Sequence, residues 1–405
     1  MKDTIRNHPL TLAVHWQRFG PYHIARLRAA ARGLQDLGNI RVIGFETASR
    51  DTTYLWQEEP QPDGFEAFTA FPARNVDEVS PREMWKGVRS LANRTNPDVI
   101  AISGFSTHDA YALLSWCKFR RRAAILMSET KWDDKPRSGL KEFLKRLIVR
   151  QYAAALCGGT PHREYLQRLG LARERIFTGY DAVDNDYFWR NAVRVRANPQ
   201  LVRHLPGLSD PTPFFLASAR FIKRKNLDGL LRAYSLYRRQ RRLEHSQVLP
   251  WRLVILGDGE ERSNLESLAT EEQIADVVCF AGFAQIAALP GYYGLAGAFI
   301  HPAFQDQWGL VVNEAMASGL PVLVSNRAGC ATDLVVEGKT GYTFDPENTP
   351  ELAALMAKIS SDSAERCRMG KAALEHVNEW GLNKFVTGLW GALQMALSPR
   401  IDARS

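Results

Sequence analysis

The segment from Phe299 to Asp345 reads FIHPAFQDQWGLVVNEAMASGLPVLVSNRAGCATDLVVEGKTGYTFD. It begins with a short apolar run, continues through a polar loop, and then places apolar residues at helical spacing from Leu310 onward. The helix is predicted to stop at Ser318-Gly319, and a second apolar run follows at residues 320–324. The order strand, loop, helix, strand predicts a βαβ unit, which is the building block of a parallel sheet.

The loop Ala303–Trp308 is the predicted ligand-binding part of this unit, because parallel sheets bind ligands at the carboxyl ends of their strands. The unpaired N–H groups and partial positive charge of the following helix N-terminus favour an anion there. Two acids flank that point, Asp306 in the loop and Glu314 about one and a half turns into the helix. Carboxylates can accept paired hydrogen bonds from vicinal sugar hydroxyls, so a ligand with both phosphate and sugar groups is expected.

These motifs resemble family 4 of the retaining glycosyltransferases. The shared pattern consists of His301-Pro302, an acid at Asp306, aromatic-Gly-Leu at 308–310, Glu-Ala-Met at 314–316, Gly-x-Pro-Val at 319–322 and Gly-x-x-Gly at 338–341. The resemblance implies that Glu314 holds the ribose of a nucleotide and that Asp306 contacts the donor sugar. Trp308, Gly309 and Leu310 are predicted to bind the donor as well. The family usually has Glu where this chain has Asp306, which is one methylene shorter, and this departure bears on donor-sugar preference and on activity.

Two basic residues, Arg220 and Lys225, follow the first strand predicted in the second half of the chain. At the carboxyl edge of a sheet, the Arg fork and the Lys point charge both suit phosphate oxygens. A solvated charge run is the alternative, and it fits Lys223 and Arg224 well. The resemblance implies that an Arg and a Lys at this spacing neutralise the donor diphosphate.

A Gly257-Asp258-Gly259 turn follows another predicted strand. Glycines there permit either a close backbone approach to a ligand or merely a tight turn, and the segment is not a complete dinucleotide fingerprint. Together with Glu314, Gly257 and Gly259 are predicted to line a nucleotide pocket. Phe283 is predicted to lie beside the base, with packing inside the protein as the alternative.

Strands and helices alternate along the chain in two series. The predicted strands are Leu10–Trp16, Ile40–Glu46, Glu66–Phe71, Asp98–Ser103, Ala123–Ser128, Ala154–Gly158 and Arg175–Gly179 in the first series, and Phe214–Ala219, Arg252–Leu256, Val277–Ala281, Ala298–His301, Val322–Ser325 and Gly341–Phe344 in the second. Such alternation predicts an α/β protein whose parallel sheets are covered by helices on both faces.

The predicted domains are a Rossmann-like domain at 1–190, a linker at 191–213, and a second Rossmann-like domain at 214–381. The linker is inferred from its Pro, Gly, Asn and Asp residues and from its lack of clear periodicity. A helix of about four turns is predicted within the C-terminal segment 382–405. The resemblance implies the GT-B fold, in which the two domains face each other across a cleft and the terminal helix crosses back to the first domain. It also implies that the first domain binds the acceptor and the second the nucleotide sugar.

Three residues of the first half lie at predicted strand ends. Gly20 lies between the first strand and the first helix, where it either lets a diphosphate or acceptor approach or simply forms a turn with Pro21. His108 can hydrogen-bond a sugar, and Glu129 can orient the acceptor hydroxyl or stabilise positive charge at the reacting carbon. A helix cap or an ordinary surface group is the alternative for His108 and Glu129.

The composition is that of an ordinary globular protein, with 405 residues, 45% hydrophobic and 24% charged. No apolar run approaches the length that spans a bilayer. Five scattered cysteines without a Cys-x-x-Cys pair support neither a disulfide framework nor a metal site, and they suit a reducing cytoplasm. No metal ligands are therefore predicted.

The formal net charge of +8 calls for an anionic partner or a solvated basic face. One predicted helix carries Lys141, Lys145, Arg146 and Arg150 beside an apolar face formed by Leu140, Phe143, Leu144, Leu147 and Ile148. Packing of that face onto the sheet is the favoured interpretation, because Leu and Phe at helical spacing usually belong to a core. Contact with an anionic membrane surface is the other interpretation. Nucleic acid is not expected, because the basic residues are not interleaved with aromatic ones.

The predicted function is transfer of a sugar from a nucleotide-diphosphate donor to a hydroxyl of a glycan, lipid-linked or small-molecule acceptor, in glycan or polysaccharide biosynthesis. The resemblance implies retention of configuration, no metal, and no cofactor besides the donor. One alternative is a nucleotide-sugar-binding protein without transfer activity, because of Asp306. A nicotinamide-dependent oxidoreductase is a weaker alternative, since it is suggested only by the fold and an incomplete glycine fingerprint.

Overall fold

The computed structural model describes residues 9–50, 56, 64–243 and 249–398. The chain forms two compact units, one from Met1–Ala182 with Leu382–Ser405 and the other from Val183–Gly381. The C-terminal segment thus belongs to the first unit. None of the helices in these described ranges is both long and apolar enough to cross a membrane.

The first unit is built on a seven-stranded parallel sheet in the order β3-β2-β1-β4-β5-β6-β7. Its strands are β1 Leu10–Trp16, β2 Ile40–Arg50, β3 Glu66–Asn75, β4 Val99–Ser103, β5 Ala123–Ser128, β6 Ala154–Cys157 and β7 Ile176–Thr178. Its first five helices are α1 Pro21–Gly38, α2 Pro81–Thr95, α3 His108–Phe119, α4 Gly139–Val149 and α5 Thr160–Arg168. Central strands such as β4 are continuous apolar runs because helices cover both faces of the sheet.

The second unit contains a six-stranded parallel sheet in the order β10-β9-β8-β11-β12-β13. Its strands are β8 Phe214–Ser218, β9 Arg252–Leu256, β10 Val278–Gly282, β11 Ala298–His301, β12 Val322–Ser325 and β13 Gly341–Phe344. Its helices are α6 Asn185–Ala197, α7 Leu227–Leu243, α8 Arg262–Glu271, α9 Leu289–Leu295, α10 Leu310–Ala317, α11 Ala331–Leu334, α12 Thr349–Ser361 and α13 Ser363–Val377. The predicted βαβ unit is present as β11, α10 and β12.

The terminal helix α14, Leu382–Leu397, packs on the first unit. Phe385, Leu389 and Leu393 are fully buried in the same core as Leu12 and Leu27. The prediction that a C-terminal helix returns to the first domain is therefore confirmed. Its physical cause is the apolar stripe at helical spacing, which needs a partner surface.

Part of the predicted linker at 191–213 is helical, because α6 continues to Ala197 and belongs to the second unit. Asp184 caps this helix by accepting a hydrogen bond from the Tyr187 backbone N–H at 3.0 Å. Phe188, Ala192 and Val195 form its buried stripe. Many polar residues lie between these three apolar ones, and the sequence therefore did not reveal the helical period.

The favoured interpretation of α4 is wrong for four of its five apolar residues. Leu140, Phe143, Leu144 and Leu147 are exposed, and Ile148 packs against the core. Helical spacing identified the residues that share a face, but it did not reveal that this face points away from the protein.

Candidate functional site

The candidate site lies where the second sheet changes its winding direction, between β8 and β11. The chain leaves the carboxyl ends of these adjacent strands in loops 219–226 and 302–309. Crevices at such topological switch points bind ligands in open parallel sheets. Arg220 and Lys225 lie on the first loop and Asp306 on the second, so the topology brings together two regions far apart in sequence.

Asp306 and Lys225 form an ion pair in this place. Lys225 Nζ donates to Asp306 Oδ2 at 2.5 Å, and His301 Nε2 lies 2.9 Å from the same oxygen. Burial would raise the pKa of Asp306, but Lys225 and His301 together hold it well below its ordinary value. Asp306 is therefore a carboxylate at neutral pH, and in this structure Lys225 donates to that carboxylate.

Asn226 fixes the turn that carries Lys225, and sequence reasoning missed it. It has a left-handed backbone (φ 53°), which Asn tolerates better than most residues. Its buried side-chain amide donates to the carbonyl oxygens of Pro302 at 3.0 Å and Pro346 at 2.8 Å. One side chain thus joins the loops that follow β8, β11 and β13. An Asn directly before the helical pattern of α7 was the available signal.

Glu314 lies inside α10 and is only 1% exposed. Its Oε2 accepts a hydrogen bond at 2.8 Å from the hydroxyl of Tyr293, which lies on α9 and is fully buried. A carboxylate in a protein interior is costly unless it is hydrogen-bonded, so Tyr293 stabilises it. Tyr293 was not predicted, because its contact with Glu314 spans 21 residues of sequence.

Trp308 and Gly309 shape the start of α10. Trp308 is buried, its indole N–H donates to Asn313 Oδ1 at 2.8 Å, and its ring lies 5.6 Å from that of Trp380. Gly309 has φ 106°, and a Cβ there would lie 3.2 Å from His301 Nε2, so this position favours glycine. Leu310 is half-buried at the first position of the helix. The donor-binding roles of these three residues remain predictions.

Gly257 and Gly259 have a clear packing role. Their φ angles are 122° and 153°, and a Cβ at Gly257 would lie 1.8 Å from the carbonyl oxygen of Ala219. The Phe221 backbone N–H donates to the Asp258 carbonyl oxygen at 2.8 Å. The glycines therefore let the turn after β9 pack closely against the backbone that carries Arg220. This packing explains both glycines without a ligand. Arg220 and Phe283 are half-buried, and their roles also remain predictions.

Gly20, His108 and Glu129 lie in the first unit, at the carboxyl ends of the neighbouring strands β1, β4 and β5. Gly20 caps α1 with an ordinary extended backbone (φ −110°), and its N–H donates to His23 Nδ1 at 3.0 Å. His108 is exposed at the first position of α3, and Glu129 is half-buried. These positions suit ligand contact, which is still a prediction.

A buried polar trio beneath His108 was also missed. Thr47 Oγ1 donates to Asp109 Oδ2 at 2.8 Å, and His15 Nε2 lies 3.0 Å from the same hydroxyl and 3.5 Å from the carboxylate. Burial would raise the pKa of Asp109, but its contacts with His15, Thr107 and Thr47 lower it overall. The trio ties β1 and β2 to the start of α3. A histidine inside the apolar run of β1 was the signal.

Comparisons with known proteins bear on the second unit above all. Residues 203–376 match the family model described as glycosyl transferases group 1. Sucrose synthase of Solanum tuberosum is 31% identical over 198 residues, which are 45% of this chain and 23% of that protein. The GDP-mannose-dependent alpha-(1-6)-phosphatidylinositol monomannoside mannosyltransferase of Mycolicibacterium smegmatis is 29% identical over 211 residues, 50% of this chain and 52% of that protein. The matched region thus spans about a quarter of the first relative and about half of the second.

Solved structures extend the likeness of fold to nearly the whole chain. HepE of Anabaena, in complex with UDP and glucose, matches with a TM-score of 0.69 and 17% identity, over 95% of this chain and 99% of that one. This likeness and the two parallel sheets confirm the predicted GT-B fold class. The match of residues 203–376 to the glycosyl transferases group 1 model confirms, for that part of the chain, the resemblance inferred from the motifs.

Proposed function

We propose that this protein transfers a sugar from a nucleotide-diphosphate donor to an acceptor hydroxyl, with retention of anomeric configuration, in glycan or polysaccharide biosynthesis. The donor site comprises Glu314, Asp306, Arg220, Lys225 and the N-terminal turn of α10. Gly20 of the first unit is assigned to donor binding, His108 to the sugar, and Glu129 to the acceptor hydroxyl or the reacting carbon.

The observation that carries the proposal is the buried carboxyl group of Glu314, which accepts a hydrogen bond from Tyr293 and lies in the helix that follows the loop after β11. A buried carboxyl group in this position is costly for folding alone, and binding of a ribose diol gives it a purpose. The basic residues Arg220 and Lys225 on the neighbouring loop supply the charge that a diphosphate requires.

In the proposed reaction, the bond between the anomeric carbon and the donor phosphate oxygen breaks while the acceptor oxygen attacks from the same face. The acceptor proton passes to the departing diphosphate, so no protein nucleophile is required. Arg220, Lys225 and the helix dipole of α10 stabilise the negative charge that develops on the leaving group. Lys225 donates to Asp306 before the donor binds, so the donor must share or replace that contact.

The remaining parts of the proposal concern partners and location. Transfer is proposed to be metal-independent and to need no cofactor besides the donor, and the protein is assigned to the cytoplasm and its membrane face. The name of the mannosyltransferase relative contains a phosphatidylinositol lipid, whereas the name of the other relative contains a free sugar, sucrose. A glycan, a lipid-linked glycan or a small molecule therefore all belong in an acceptor screen.

Calorimetric titration with UDP, GDP, ADP and their sugar conjugates tests the donor site. We expect selective binding of one nucleotide diphosphate and a large loss of affinity in Glu314→Ala. Glu375→Ala is the matched control, because Glu375 is also a helical carboxylate of the second unit but is 66% exposed. Equal affinities in all three proteins would refute the assignment of Glu314.

Transfer itself is tested with the nucleotide sugar that binds. We expect product to form in the presence of EDTA. We also expect NMR to show that the product keeps the anomeric configuration of the donor. An inverted product or a strict metal requirement would refute the proposed mechanism. Donor binding without turnover on any acceptor would favour the alternative in which Asp306 supports binding only.

A further inference from the structure

Helix α4 presents an apolar arc outward, whereas Val149 and Ile148 at its C-terminal end pack against the core. Leu140 is 71% exposed, Phe143 56%, Leu144 50% and Leu147 46%. At about 100° per residue these four side chains fall on a single arc of the helix. A contiguous exposed apolar face of this kind marks an interaction surface.

Polar contacts also hold the inward side of α4, beside the packing of Val149. Lys145 Nζ donates to Glu142 Oε1 at 2.7 Å, and the Tyr165 hydroxyl donates to Glu142 Oε2 at 2.8 Å. Arg146 donates to the Arg168 carbonyl oxygen at 2.9 Å. These contacts fix the rotation of the helix about its axis, and they therefore keep the apolar face directed outward.

The charge around this face is strongly positive. Residues 135–150 contain six basic side chains and one acidic one, Glu142, which is paired on the inward side. Lys141 and Arg150 are exposed beside the apolar arc. Trp132, 44% exposed, lies 6.1 Å from the ring of Tyr165, which donates a hydrogen bond to Glu142 of α4, and the Arg168 guanidinium lies 4.9 Å from the Trp132 ring centroid. Aromatic and basic residues that border an apolar stripe are typical of helices that lie in a lipid interface.

We propose that α4 lies in the plane of an anionic lipid bilayer, with Leu140, Phe143, Leu144 and Leu147 inserted among the acyl chains and the flanking basic residues against lipid phosphates. The charge complementarity favours an anionic membrane over a second copy of this basic chain. The proposal concerns a surface of the first unit and does not depend on the sugar-transfer reaction.

Co-sedimentation of the full-length protein with vesicles tests it. Vesicles of phosphatidylcholine mixed with phosphatidylglycerol should bind the protein, and vesicles of phosphatidylcholine alone should bind it far less. Replacing Lys141 and Arg150 by Gln should weaken binding about fivefold per charge removed, and raised salt should weaken it further. Phe143→Ser combined with Leu144→Ser should abolish binding to the anionic vesicles.

Leu37→Ser is the matched control, because Leu37 is an exposed helical leucine of the same unit (51%) outside α4. Binding should be unchanged in this variant. Failure of the native protein to bind anionic vesicles would overturn the proposal. A loss of binding in Leu37→Ser as large as that in the Phe143→Ser and Leu144→Ser variant would overturn it too. Analytical ultracentrifugation that shows a dimer dissociated by Phe143→Ser, without vesicle binding, would assign the face to a second copy instead.

Discussion

The hydrogen bond between Tyr293 and Glu314 predicts a measurable coupling in nucleotide binding. Its oxygen atoms are 2.8 Å apart, and both side chains are at most 1% exposed. Removing one partner of a buried hydrogen bond costs about 1–3 kcal/mol, so Tyr293→Phe should destabilise the second unit by roughly that amount. The ring itself is retained between Phe188 and Phe299, at centroid distances of 5.9 and 5.7 Å, so no cavity is created.

Nucleotide affinity should fall in the same variant, because the carboxylate that we assign to the ribose loses a group that orients it. A coupling of about 1 kcal/mol corresponds to about a fivefold change in Kd. The assay is a double-mutant cycle by calorimetry, with Tyr293→Phe introduced into the native protein and into Glu314→Gln. In the second background the loss of affinity should be much smaller.

Tyr292→Phe is the control for this cycle. Tyr292 is the neighbouring tyrosine on α9 and is also buried, at 2% exposure, but the described hydrogen bonds of Glu314 involve Tyr293 rather than Tyr292. Loss of the Tyr292 hydroxyl should leave the affinity for the nucleotide unchanged. The reasoning is refuted if Tyr293→Phe costs the same affinity with and without the carboxylate at position 314.

Three further changes have defined outcomes. Lys225→Met should weaken binding of the selected nucleotide diphosphate by about tenfold or more in calorimetry, because one charge-assisted hydrogen bond is lost. Gly257→Ala should destabilise the second unit by about 3 kcal/mol in thermal unfolding, because its Cβ would lie 1.8 Å from a carbonyl oxygen at φ 122°. Burial, aided by Arg26, lowers the pKa of His23 to about 3. The unfolded chain therefore binds a proton that the folded protein does not. The free energy of unfolding should fall by roughly 1.4 kcal/mol as the pH is lowered from about 7.5 to 5.5. In His23→Gln that part of the pH dependence should disappear, and an unchanged slope would contradict the assignment.

The strands of the second unit were predictable because buried parallel strands are short continuous apolar runs. β9, β11, β12 and β13 have the predicted bounds. The terminal helix was predictable for a similar reason, since its apolar stripe is long and regular. Helix α6 was not predictable, because only three buried apolar residues mark its period among many polar ones.

The candidate site was predicted in its members but not in its contacts. Asp306 and Lys225 were identified separately, yet their ion pair depends on β8 and β11 being neighbours in the sheet. Tyr293 and Asn226 were missed because each acts through partners distant in sequence. Local spacing carries no information about such partners.

The orientation of α4 illustrates a different limit. Periodicity identified its apolar face, but the same pattern arises whether a helix packs on protein or on lipid. The exposed fractions of Leu140 and its neighbours show that this face points away from the protein.

The placement of α14 has a consequence for synthesis on the ribosome. Residues 183–381 are contiguous and supply every strand of the second sheet, so this unit can fold as soon as it has emerged from the exit tunnel. The first unit, although translated earlier, cannot complete the core cluster that contains Phe385, Leu389 and Leu393 until these residues have been made. Its apolar surface stays open to chaperones throughout translation of the second unit, and a transcript truncated before codon 382 would yield a protein in which this surface is never covered.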